Sequence, residues 1–192
     1  MIGKMTKSNI LKYLFEDLKG VRVGSSMYRP MGYSSADTDI MIYAGSEEAA
    51  KDIAKILIEE EGFKEKDSPP YCDSFIRIVN NEHKIDVFFV NERSFEEIKA
   101  ASMIMLTFIE NTSGSKILQY MLWNKTLRVA IFELILLIIS YMHSHKEESL
   151  ETKRINICNM ARHICWKNKI LFEDKYMDEL EETPEKEKGL PF

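Results

Sequence analysis

Only three cysteines, Cys72, Cys158 and Cys165, occur in 192 residues. The number is odd and no spacing suits zinc, so neither a disulfide scaffold nor a zinc knuckle organises this chain. A reduced, cytoplasmic setting is expected. Long hydrophobic runs are also missing. The most apolar stretch, Ala130 to Met142, is interrupted by Glu133. As a helix it would reach only about 20 Å, short of the ~30 Å hydrocarbon layer, so a buried core helix and no membrane association are expected. Met1 to Lys7 lacks the apolar centre of a signal peptide. Positive charge is not in excess, with 26 basic residues against 31 acidic and a net charge of −5. That excludes a general nucleic-acid binder held by bulk charge, though not one with a local patch. No internal repeat is visible.

What is present is a 45% apolar complement, enough to bury a core in one large domain or two small ones. The charge is uneven. Residues 170–192 carry eight acids against three lysines, which accounts for the whole net charge. This acidic segment is expected to be partly flexible.

The apolar spacing organises the chain into two parts. Ser8 is a candidate cap for a first helix whose apolar face runs through Ile10, Leu14 and Leu18, with Gly20 as its stop. Val21 to Val23 reads as a short strand ending at Gly24, and Asp37 to Tyr43 as a second strand. Ser46, with Glu47 and Glu48 behind it, opens a helix that Gly62 ends. Ser74 to Val79 and Lys84 to Val90 flank a run of turn formers, a hairpin signal. After Asn91 the pattern becomes helical. Ser94 to Glu97 has the form of a capping box opening a helix toward Glu110. Helical spacing resumes from Ser115 to about His143, with a break near Asn124 to Thr126, and again from Leu150 to Trp166. The fold class is α+β: a mixed sheet with flanking helices, then an all-helical C-terminal half. The expected division is 1–92, 93–170 and an acidic segment 171–192.

Chemistry concentrates in three places. Gly24-Ser25-Ser26 forms a small-residue turn after a strand, where backbone N–H groups and hydroxyls can hold phosphate. Asp37 and Asp39 are two apart on one strand and so share a face. Paired carboxylates of this kind repel unless a cation lies between them, and Mg²⁺ accepts one or two carboxylates with water and phosphate oxygens completing its shell. Asp86 lies within the apolar run Ile85 to Val90, in a strand that can pair beside the second. Taken singly, each piece is also common as a plain turn, a solvated strand end or an edge-strand charge.

In this order and on these elements, residues 6 to 92 resemble the DNA polymerase β-like nucleotidyltransferases. That family has a strand ending in Gly-Ser or Gly-Gly, then Asp-x-Asp or Asp-x-Glu between apolar residues about a dozen residues later, then a further strand acid. Here eleven residues separate Ser25 from Asp37. The resemblance implies a nucleotidyltransferase fold and transfer of a nucleoside monophosphate from a nucleoside triphosphate to an acceptor hydroxyl, with pyrophosphate leaving. It implies Asp37, Asp39 and Asp86 as catalytic metal ligands for Mg²⁺, with Mn²⁺ able to substitute. It also implies that Gly24, Ser25 and Ser26 hold the phosphates. The acceptor class stays open: an RNA 3′ end such as that of tRNA, a protein, or a small molecule. A non-catalytic nucleotide-binding or sensing module is the alternative, and the helical half could support an oligomer.

Other residues have two readings each. Arg22, Arg29 and Arg77 lie near the motifs, and Arg29, in the loop after the turn, is the best placed to meet a phosphate. Lys116 and Arg128 are basic candidates from the helical half. Glu133 is either a structural partner for an arginine or histidine or the general base for the acceptor hydroxyl. Residues 152–169 hold five basic residues and no acid, with His163 and Trp166 interleaved. A solvated face whose Trp packs inward is favoured there over an RNA track. Cys158 and Cys165, seven apart, are expected in the core.

Overall fold

The computed structural model describes residues 5–31, 37–69, 72–111 and 124–168, and of residues 28–31 the backbone alone. The chain is α+β, with a five-stranded mixed sheet, flanking helices and a C-terminal helical region. Helix α1 (Lys7–Lys12) continues as a π turn over Tyr13–Asp17. Its cap is Thr6, which accepts from the Asn9 N–H, rather than Ser8 as the sequence predicts. Strand β1 (Val21–Val23) runs into a 3-10 helix, Gly24–Met31. Strand β2 (Thr38–Tyr43) leads to helix α2 (Glu47–Glu61), which Ser46 caps through the Ala49 N–H and Gly62 ends at φ 73°. A two-residue strand β3 (Lys64–Glu65), not predicted, precedes the hairpin of β4 (Ser74–Asn80) and β5 (Ile85–Val90).

The strand order is β1-β2-β5-β4-β3. Only the central β2–β5 pair is parallel. The crossover through α2 returns the chain to the direction of β2 at β3, and the two reversals from β3 to β4 and from β4 to β5 leave β5 in that same direction. β3 was invisible in the sequence because Lys64 and Glu65 are both exposed and show no alternation.

The alternation of side chains gives each sheet face its own core. Ile40, Ile42, Ile78, Val87 and Phe89 pack against α1 and α2 on one face. Val23, Met41 and Val90 lie on the other, against Ile98 of helix α3 (Glu92–Asn111) and half-buried Phe132 and Leu136 of helix α4 (Lys125–Ser144). Met105 of α3 joins a third cluster with Met27, Ile131 and Ile135. So α3 is the element through which the helical region grips the sheet. Asn80 secures the hairpin from within. Its side chain, buried, donates to the Glu61 carbonyl at 2.9 Å and accepts from the His83 N–H at 2.8 Å.

Helix α3 opens three residues earlier than the capping box predicts. Asn91, directly after β5, accepts from the Ser94 N–H at 2.8 Å. Glu97 is thereby released from capping and instead binds Arg93 Nε at 2.9 Å, while Arg93 Nη2 reaches Ser140 and Ser144 of α4. Helix α5 (Leu150–Lys167) follows, capped by Ser149. Among the described elements, α4 packs between α3 and α5. It is less buried than its sequence predicts. Only Arg128, Ala130 and Tyr141 are buried, and Leu137 and Met142 are exposed. By length and composition alone α4 could cross a membrane. Two further expectations are corrected. Cys158 is exposed and Cys165 half-buried, and Trp166 is 79% exposed rather than packed inward. Helical spacing alone could not tell which stripe of α5 meets α4, because its apolar residues are spread around the helix.

Candidate active site

Strand β2 brings the sequence motifs together. In the antiparallel β1–β2 pair Val23 is opposite Asp39, and in the parallel β2–β5 pair Asp39 is beside Asp86. Residues in register on neighbouring strands project to one face. Asp39 and Asp86 therefore share the face that carries Met41 and Val90, the side covered further along by α3. The Thr38 N–H donates to the Lys84 carbonyl at 2.8 Å, tying the start of β2 to the turn before β5. Asp37, expected to open β2 and share its face with Asp39, is instead the exposed residue immediately before the strand, and Asp39 is half-buried.

The Gly24 turn lies directly against Asp39. Gly24 has φ 62°, and a Cβ built there would fall 2.6 Å from Asp39 Oδ2. Only glycine combines that backbone with so close an approach. Ser26 is fully buried and its hydroxyl donates to the Val23 carbonyl at 3.0 Å, so it builds the turn from inside. Ser25, next to it, is half-buried.

Asp86 already has a cationic partner. Arg77 on β4 donates from Nε to Oδ1 at 3.0 Å and from Nη2 to Oδ2 at 2.6 Å. Its Nη1 donates to the Asp67 carbonyl at 2.7 Å, and the guanidinium lies over the Phe88 ring at 5.1 Å. The side chains of Arg77 and Asp86 are 14% and 13% exposed. The sequence marked Arg77 only as near the motifs. Its role was latent in the hairpin register, in which Val79 faces Asp86 and Arg77 faces Phe88, the diagonal from which a long side chain reaches.

Cys72, half-buried, lies in the same neighbourhood against the cluster of Val23, Met41, Val90 and Ile98. Burial, above all, pushes its thiol up to about 11. Such a group carries little thiolate near neutrality and is a poor nucleophile there. In an iodoacetamide time course followed by peptide mass spectrometry at pH 8, the exposed Cys158 is expected to alkylate first and Cys72 last. The Cys72 rate should keep climbing as pH rises past 9, where an ordinary thiol levels off. Rapid labelling of Cys72 at pH 8 would contradict its buried placement.

The remaining candidates lie elsewhere or are engaged. Arg22 stacks over Phe15 at 5.7 Å, on the sheet face opposite the acids. The side chain of Arg29, and Lys116, lie outside the described residues. Arg128 is buried within α4. Glu133, at 12% exposure, pairs with Lys167 Nζ of α5 at 2.5 Å, with a lysine in place of the arginine or histidine expected for a structural pairing. Among the described residues, no group of three or more His, Cys, Asp or Glu side chains is arranged to hold a metal ion. No family model matches the chain, and no curated protein or solved structure matches it.

Proposed function

We propose that the chain is a metal-dependent nucleotidyltransferase that moves a nucleoside monophosphate from a nucleoside triphosphate to an acceptor hydroxyl. The reading rests on the sequence resemblance. The observation that carries it furthest is the contact of the Gly24 turn with Asp39, itself in register with Asp86. A phosphate-binding turn pressed against a carboxylate is an arrangement that a metal–triphosphate fits, since its phosphates and its cation need opposite partners a few ångströms apart. Asp37 and Asp39 would hold Mg²⁺, whose chemistry is to neutralise charge on the reacting phosphate. The turn at Gly24 and Ser25 would bind and orient the distal phosphates. The acceptor oxygen forms a bond to the α-phosphorus, the bond to the bridging oxygen breaks, and pyrophosphate departs with the electron pair. The acceptor proton passes to solvent or to a basic group.

One observation favours the second reading, a nucleotide-binding module without turnover. Asp86, the third acid of the resemblance, is engaged by Arg77. Incubation with each α-labelled nucleoside triphosphate, Mg²⁺ or Mn²⁺ and a cell lysate separates the two. The wild type is expected to transfer label to RNA, protein or a small molecule. A D37A/D39A double variant should fall at least ~10³-fold, the scale on which charge stabilisation contributes to such chemistry. Metal-dependent nucleotide binding with no transfer to any fraction would establish the module instead.

A further inference from the structure

The ion pair on Asp86 bears on how many cations this site takes, an inference that rests on the proposed nucleotidyl-transfer reading. We propose that the Arg77 guanidinium is a cation built into the site. It takes the place on Asp86 that a second metal ion would use, so the protein binds one divalent cation with its nucleotide, not two.

The pairing is held from several sides. Both oxygens of Asp86 accept from Arg77, at 3.0 and 2.6 Å, in the two-pronged geometry that suits a carboxylate. The opposite edge of the guanidinium is fixed to the Asp67 carbonyl at 2.7 Å, and its plane lies over Phe88. A surface arginine held at one point swings away readily. This one would have to give up two ion-paired hydrogen bonds, a backbone contact and a ring contact together. Its surroundings are also partly dehydrated, which strengthens like-charge repulsion. A dication approaching Asp86 therefore meets a fixed positive charge and a carboxylate whose facing lone pairs are engaged.

Binding stoichiometry tests this without reference to turnover. Mn²⁺ would be titrated into the full chain with a non-hydrolysable nucleoside triphosphate analogue present, and free Mn²⁺ followed by electron paramagnetic resonance. Wild type is expected to bind one Mn²⁺, with any second site at least tenfold weaker. Arg77→Met should expose Asp86 and add a second site, which Arg77→Met combined with Asp86→Asn should lack. Arg77→Lys, which keeps the charge, should remain at one. Circular dichroism would confirm that each variant is folded. Should Arg77→Met not fold, Asp86→Asn alone decides, since the count must stay at one when Asp86 is not a ligand. Two sites in the wild type, one site in folded Arg77→Met, or loss of the site in Asp86→Asn would each overturn the inference and leave the nucleotidyl-transfer reading standing. No Mn²⁺ and no nucleotide bound by any variant would overturn both.

Discussion

Replacing Gly24 with alanine is expected to weaken metal–nucleotide binding at least tenfold while lowering stability by only about 1–2 kcal/mol, the cost of placing a side-chain-bearing residue at positive φ. The asymmetry follows from what the new methyl group meets. It would lie 2.6 Å from Asp39 Oδ2 and 3.2 Å from its Cγ, and the carboxylate is the softer partner. The fold survives because Asp39 rotates away, and the site fails because Asp39 has rotated. Isothermal titration with Mn²⁺ and a nucleoside triphosphate analogue, beside a thermal melt, reads the two effects separately. Unchanged affinity in a folded Gly24→Ala variant would mean that neither the turn nor Asp39 touches the ligand. The proposed function would then lose its principal support.

Phe89→Ala is expected to have the largest effect on stability, about 3–5 kcal/mol. In a chain of this size that corresponds to a melting temperature lower by roughly 10 °C. Phe89 is fully buried on β5, the central strand between β2 and β4, and packs into the core under α1 and α2. Ile42 is its register partner on β2, along the same parallel pair that sets Asp39 beside Asp86. A cavity there therefore loosens the alignment of the site from behind. Urea unfolding followed by far-ultraviolet circular dichroism and by tryptophan fluorescence measures the loss. Because α3 shares cores with both the sheet and α4, the two probes should report one transition. A change below about 1 kcal/mol would show that the sheet repacks freely at Phe89.

Much of the framework was legible from local chemistry. Ser46 and Gly62 bracket α2 where the sequence places them, since a serine cap and a left-handed glycine act through their own backbones. The β4–β5 hairpin and α5 also stand within a residue or two of expectation. The misses share a cause. Thr6 displaced Ser8 and Asn91 displaced Ser94 because each helix start offers more than one residue able to cap it. Trp166 and Cys158 were misplaced because burial on a helix depends on which neighbour arrives, which no helical period records.

The sequence by itself determined that strands and helices form an α+β chain, that Asp39 lies within a strand and that a glycine turn follows β1. These follow from periodicity and backbone preference, which act over a few residues. Only the tertiary structure decided that β2 lies between β1 and β5, that Gly24 therefore touches Asp39, and that Asp39 stands in register with Asp86. It alone turned Arg77 from a nearby charge into the partner of Asp86. The physical reason is that register and ion pairing join residues distant along the chain. Their partners are selected by the burial of whole sheet faces, not by any local pattern.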